Sequence, residues 1–199
     1  LEDRTLLSAT TVWTGTTLII SATAGEAISI TTDSVTNVQV KIDGTVDDSL
    51  PVVPASTVER IEITGGDGDN VINLTGINAA LFSFVDPVSG GTMPITVDGG
   101  HGHDTISGST DLDDTLVGGD GDDVISDAGG VAGSTLRGGN GDDYIEATGN
   151  TGEIIFGDDG DDFIQIMGAG TVHGGKDNDT IIGSSGNDTL NGNEGIDII

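Results

Sequence analysis

The feature that most constrains this chain is a nine-residue phrase that recurs in register. Gly99-Gly-His-Gly-His-Asp-Thr-Ile-Ser107, Gly118-Gly-Asp-Gly-Asp-Asp-Val-Ile-Ser126 and Gly138-Gly-Asn-Gly-Asp-Asp-Tyr-Ile-Glu146 share the pattern G-G-x-G-x-D-x-U-x, where U is a large aliphatic residue. Looser copies begin at Gly65, with Asn70 in the acid place, and at Gly157, Gly174, Gly183 and Gly192. A nonapeptide cannot bury an apolar face alone, so repeated phrases have to stack on one another. The acids Asp104, Asp123, Asp143, Asp162, Asp179 and Asp197 follow at intervals of 19, 20, 19, 17 and 18 residues, which is two phrases per interval. That spacing predicts an all-β parallel β-roll, a two-sided solenoid in which each rung contributes one strand to each side.

The residue types within the phrase point to a cation. Glycines let the backbone take positive φ and bring carbonyl oxygens inward, and the sixth-position Asp adds a hard anionic oxygen. Calcium takes six to eight such oxygens at about 2.3–2.6 Å, more than one turn supplies, so two stacked turns are expected to share each ion. The x-U-x triplet after the acid reads as a short strand with its middle residue inward. On these residues the chain resembles the RTX, or haemolysin-type, calcium-binding repeat family, strongly over 99–199 and more weakly over 65–98.

Composition decides between a folded and a disordered reading. The 199 residues carry a net charge of −29, 34 glycines, 3% aromatics and no cysteine. Such a chain cannot build an aromatic core, form disulfides or hold metal through thiolates; its acidity makes nucleic acid and anionic membrane surfaces poor partners, and no apolar run is long enough for membrane insertion. High charge with low aromaticity ordinarily means disorder. Here, however, the charge is patterned: residues 1–64 carry nine acids and three bases, whereas 65–199 carry 25 acids and only Arg137 and Lys176 as bases. The acids lie where the glycines lie, as ligands would.

The expected calcium-site residues are therefore Asp104, Asp123, Asp143, Asp162, Asp179 and Asp197, with Asp114 and Asp188 on the opposite side, Asn70 in the first turn, and the leading glycines Gly99, Gly118, Gly138, Gly157 and Gly174. Six turns on one edge leave about five gaps, hence about five Ca2+ ions or more. Turns on the other edge, over 127–134, 147–153 and 167–170, lack the phrase and are expected to be mostly metal-free. Asp122, Asp142 and Asp161 read as exposed charge, and His101 and His103 as variable turn residues.

The first 64 residues read as Thr-, Val- and Ile-rich strands forming a β-rich cap, followed by transitional rungs with an insert over 65–98 and the roll proper over 99–199. The insert, with Phe82, Phe84 and Val85, is expected to pack against the cap. Leu1-Glu-Asp-Arg-Thr-Leu-Leu-Ser8 resembles a signature near the N-terminus of planctomycete-type exported surface proteins, which implies an extracellular or cell-surface location. Neither H-E-x-x-H nor G-x-S-x-G occurs, and no catalytic role is expected. The last phrase, Gly192 to Ile199, ends one residue short, which suggests head-to-tail self-association into a fibre or surface layer. The alternative is an RTX module of a longer secreted adhesin or enzyme. A polysaccharide or cell-surface matrix is a further candidate partner, disfavoured by the shortage of aromatic and basic residues.

Overall fold

The computed structural model describes residues 9–82, 93–127, 133–149 and 151–199. The chain opens with β1 (Thr10–Trp13), β2 (Thr17–Ser21), β3 (Ala27–Thr32), β4 (Val38–Ile42) and β5 (Thr45–Val46), then one 3-10 turn at Ala55–Thr57. Long and short strands then alternate: β6 (Arg60–Asp67), β7 (Val71–Asn73), β8 (Ile95–His101), β9 (Thr105–Ser107), β10 (Asp114–Asp120), β11 (Val124–Asp127) and β12 (Thr135–Asn140). The same alternation continues through β13 (Tyr144–Ala147), β14 (Thr151–Asp159), β15 (Phe163–Ile166), β16 (Ala169–Lys176), β17 (Thr180–Ile182) and β18 (Thr189–Glu194).

Two sheets result, one on each side of a β-solenoid. The first runs β1-β2-β6-β8-β10-β12-β14-β16-β18 and the second β17-β15-β13-β11-β9-β7-β3-β4-β5. From β2 and β3 onward every pairing between rungs is parallel, as in Thr115 with Thr135 and Ile125 with Ile145. At the N-terminal end the chain folds back: β1 on β2, β4 on β3 and β5 on β4 are antiparallel. These hairpins form a β-rich cap on the first rung.

The core is a double file of aliphatic side chains. One sheet contributes Ile20, Ile63, Val97, Leu116, Leu136, Ile155 and Val172, in register from rung to rung. The other contributes Ile72, Ile106, Ile125, Ile145, Ile164 and Ile181. All are 2% exposed or less. Strand pleating sends their neighbours outward, so Ile154 is 42% exposed while Ile155 is fully buried. Phe82 of the insert is buried in this core with Met93, whereas Phe84 and Val85 lie outside the described residues.

The first two glycines of the phrase lie in strands rather than in turns, and the second is paired from rung to rung. Strand β10 runs through Gly118 and Gly119 to Asp120, with Gly119 paired to Gly100 on one side and Gly139 on the other. Gly119 has φ +122°, and a Cβ there would overlap the Gly100 carbonyl. At Gly119 the backbones of adjacent rungs approach too closely for a side chain, whereas the same place is held by Asp158 in β14 and by Asn193 in β18, both at positive φ.

A candidate cation edge built from one ladder

The sixth-position residues form a continuous hydrogen-bonded ladder along one edge. Each backbone N–H donates to Oδ1 of the residue in the same place on the next rung: Asn70 to Asp104 (2.7 Å), Asp104 to Asp123 (2.7 Å) and Asp123 to Asp143 (2.8 Å). It continues from Asp143 to Asp162 (2.9 Å), Asp162 to Asp179 (3.0 Å) and Asp179 to Asp197 (3.1 Å). Asp104, Asp123, Asp143, Asp162 and Asp179 are buried, and Asp197 at the outer rung is half-buried.

One oxygen of each buried acid is engaged in this way; the other is not. Oδ2 of Asp104, Asp123, Asp143, Asp162 and Asp179 is buried without a hydrogen-bond partner. Each points at the leading glycine of its own turn, where the next rung's leading carbonyl also arrives: a Cβ placed on Gly118 would overlap Asp123 Oδ2 and lie 2.7 Å from the Gly138 carbonyl oxygen. Gly99, Gly138, Gly157 and Gly174 sit in the same arrangement. Carboxylate and carbonyl oxygens thus converge with no proton between them. Buried oxygens so placed cost free energy unless a donor or cation joins them.

Burial also makes these groups hard to ionise without a counter-charge. It pushes the Asp123 carboxyl up to about 6, Asp143 to about 7 and Asp162 to about 8, with neighbouring carboxylates adding to the effect. Asp104 and Asp179 are raised for the same reason. A divalent cation supplies the missing charge, and hard oxygens from carboxylates and carbonyls are the donor set calcium prefers. The residues therefore fit calcium. Among the described residues no three acidic or histidine side chains cluster around one point, as expected where each turn supplies one carboxylate and the backbone the rest.

The opposite edge is different. The place held there by Asp114 is occupied on successive strands by Ser134, Glu153, Gly170 and Asp188, and on the earlier rungs by Leu18, Ile61 and Ile95. Asp114 and Asp188 are both closed by a serine of their own turn: Ser109 N–H donates to Asp114 Oδ2 (2.6 Å) and Ser184 N–H to Asp188 Oδ2 (2.7 Å). Neither has an orphaned oxygen among the described residues. Asp114 is nonetheless buried, and burial together with the adjacent Asp127 charge raises its carboxyl.

Three acids escaped the sequence reading. Glu153 is fully buried, accepts the Ser134 N–H through Oε2 (2.8 Å) and leaves Oε1 unpartnered; its carboxyl is pushed up to about 7 by burial. The missed signal is its place directly before Ile154-Ile-Phe156, in register with Asp114. Asp127, 2% exposed, occupies a leading-glycine place, its carboxylate beside Gly108 and Asp114. Glu26 starts the first ladder, a rung before Asn70.

The exposed residue before each sixth-position acid has a structural role. Asp122 Oδ1 accepts the Asp142 N–H (3.0 Å), Asp142 Oδ1 the Asp161 N–H (2.9 Å) and Asp161 Oδ1 the Asn178 N–H (2.7 Å). His103 belongs to this outer ladder, its Nδ1 accepting the Asp122 N–H (2.8 Å). His101 pairs instead with Asp120 (2.7 Å).

Three segments, 109–131, 129–151 and 167–199, match the four-copy family model of the RTX calcium-binding nonapeptide repeat. These segments are similar to RTX repeats. RTX nonapeptide repeats bind calcium, so the ladder and the family model point to the same ion. The ladder itself extends beyond the matched segments, to Asp104 and Asn70. Neither a curated protein nor a solved structure matches the chain.

Proposed function

We propose that this chain is an exported, non-catalytic structural β-roll whose RTX rungs are closed by a file of about five calcium ions along the ladder edge. The observation that carries the reading is the column of five buried Oδ2 atoms, on Asp104, Asp123, Asp143, Asp162 and Asp179, each facing a backbone carbonyl. Bound calcium supplies the positive charge that lets these carboxylates ionise inside the roll. The chain's own part is to hold the oxygens in register through the Oδ1 ladder. Extracellular calcium modules work at about 10⁻⁴ to 10⁻³ M, which suits sites made of one carboxylate per turn.

Calcium titration of the chelated protein, followed by circular dichroism and equilibrium dialysis, tests this. The expected result is a gain of β structure that saturates with about five ions per chain. A chelated chain with unchanged β content and no bound calcium would refute it.

Self-association belongs to the same proposal. The last rung exposes Ile196, Ile198 and Ile199 at 84%, 68% and 65%, beside the outer edge of β18, while Ile198 bridges Thr180 of β17. Another rung laid on this end would cover them, whether from a second copy or from an RTX-bearing adhesin or enzyme of which the roll is one module. A contact between the β18 edge of one copy and the antiparallel hairpins of another would be heterologous, which favours filaments. Sedimentation at millimolar calcium separates these readings: polymers that dissolve on chelation support the fibre, and persistent monomers support the module.

A further inference from the structure

Asn70 stands in the ladder as an Asp does, but its amide reverses the chemistry of the site. Glu26 N–H donates to Asn70 Oδ1 (3.0 Å), the same bond that every later rung makes to an Asp Oδ1. That contact, with the three acceptors around the amide nitrogen, assigns the orientation of the side chain. Nδ2 then lies where the Asp turns carry their orphaned Oδ2, next to the leading glycine Gly65, at 2.8 Å from a Cβ placed there. From that position it donates to the Gly68 carbonyl (2.7 Å) and to Asp104 Oδ1 (3.1 Å), and lies 3.4 Å from the Gly99 carbonyl oxygen. Gly99 is the leading glycine of the next turn, so its carbonyl is the counterpart of the one that faces Oδ2 elsewhere.

The oxygens that converge without a donor in the Asp turns are thus joined here by N–H groups. An amide nitrogen has no lone pair for calcium, and its hydrogens occupy the space between the carbonyls. We propose that Asn70 is a built-in substitute for the cation: the first turn of the ladder binds no calcium and keeps the rung at 60–73 formed when metal is withdrawn. This inference rests on the calcium reading of the other turns and concerns where calcium dependence begins. Apolar residues support it on the opposite edge of the same rungs, where Leu18, Ile61 and Ile95 replace the later acids. The roll then comprises a metal-independent base, at the capped end, on which calcium-dependent rungs stack.

Hydrogen exchange of the full chain with and without chelator reads this directly, with no variant needed. Amides of 61–73 are expected to keep their protection in chelator while those of 124–126, 144–147 and 163–166 lose it. Equal loss in both groups overturns the proposal. As a second arm, Asn70→Asp is expected to bind one more calcium per chain than wild type by native mass spectrometry, and to make 61–73 sensitive to chelator. An unchanged count in a folded Asn70→Asp protein also overturns it. A wild-type chain that binds no calcium removes the calcium reading and this inference together, whereas normal wild-type binding with an unchanged Asn70→Asp count removes only the Asn70 assignment.

Discussion

A single carboxylate in this roll does two jobs with its two oxygens. Oδ1 accepts a backbone N–H from the neighbouring rung and so sets the register; Oδ2 is left facing carbonyls and so sets the ion requirement. The raised carboxyl groups give this a pH signature. A group whose folded pKa lies above its unfolded value stabilises the fold fully below the unfolded value, near 4, and loses that contribution as pH rises through the folded value. With Asp123 at about 6, Asp143 at about 7 and Asp162 at about 8, the metal-free roll should lose stability steadily between about pH 4 and 8. In chelator, circular dichroism should therefore show more β structure at pH 5 than at pH 8; a flat profile would contradict the burial argument. Calcium reverses the slope, because protons compete for the same oxygens, and its apparent affinity should fall as pH drops from about 8 through about 6. A second residue-scale test is Gly118→Ala, whose methyl would overlap the Asp123 carboxylate and the space beside the Gly138 carbonyl. Native mass spectrometry should show one calcium fewer than wild type; an unaltered count would mean that the oxygens converge elsewhere.

At the scale of the strand, stability comes from aliphatic files only one side chain deep. Adjacent residues in β14 make the contrast measurable: Ile155 is fully buried and Ile154 is 42% exposed. In the calcium-loaded protein, Ile155→Ala should cost about 2–5 kcal/mol in denaturant unfolding and Ile154→Ala less than about 1 kcal/mol. Similar losses from both would mean that the strand does not hold its inward and outward faces. The outward face of the same sheet is stiffened across rungs by stacking, with Arg137 4.5 Å from the Phe156 ring centre and Phe156 5.3 Å from His173. Arg137 also pairs with Asp158, a residue at φ +81° whose neighbours in register are Gly139 and Gly175. The ion pair and the stack give a physical reason why a side chain is tolerated at that place.

Over the whole molecule, two distinct penalties oppose folding without metal, and salt separates them. Exposed like charges repel at long range and are screened, with a Debye length of about 3 Å at 1 M salt. The buried Oδ2 atoms suffer desolvation, which salt does not relieve. Adding about 1 M sodium chloride to the chelated protein should therefore recover less β structure than millimolar calcium does. Full recovery in sodium chloride would show that net repulsion from a charge of −29, rather than the ladder, makes the fold conditional.

Much of this architecture was legible in the linear chain because a solenoid converts sequence period directly into spatial register. Spacings of 17 to 20 residues between Asp104, Asp123, Asp143, Asp162, Asp179 and Asp197 had to become rungs, and the triplets around Ile125 and Leu136 had to become the strands of opposite sheets. Where the period fails, the linear chain no longer marks the register. Glu153 sits in an acid place, but its turn has no glycine phrase to mark it, and only the pairing of Ile154 with Thr135 reveals the alignment. Asp114 and Asp188 look alike in sequence to the ladder acids, yet a serine in each turn satisfies them. Asn70 differs from Asp by one amide, and that amide's partners come from Gly68, Gly99 and Asp104, on two different rungs. Period, chemical class of the ion and the alternation of strand faces were thus determined by the sequence itself, since they depend only on residue type and spacing. Which oxygens are engaged and which are left facing one another was decided by the tertiary structure, because a hydrogen bond is a property of atoms brought within 3 Å, not of their order in the chain.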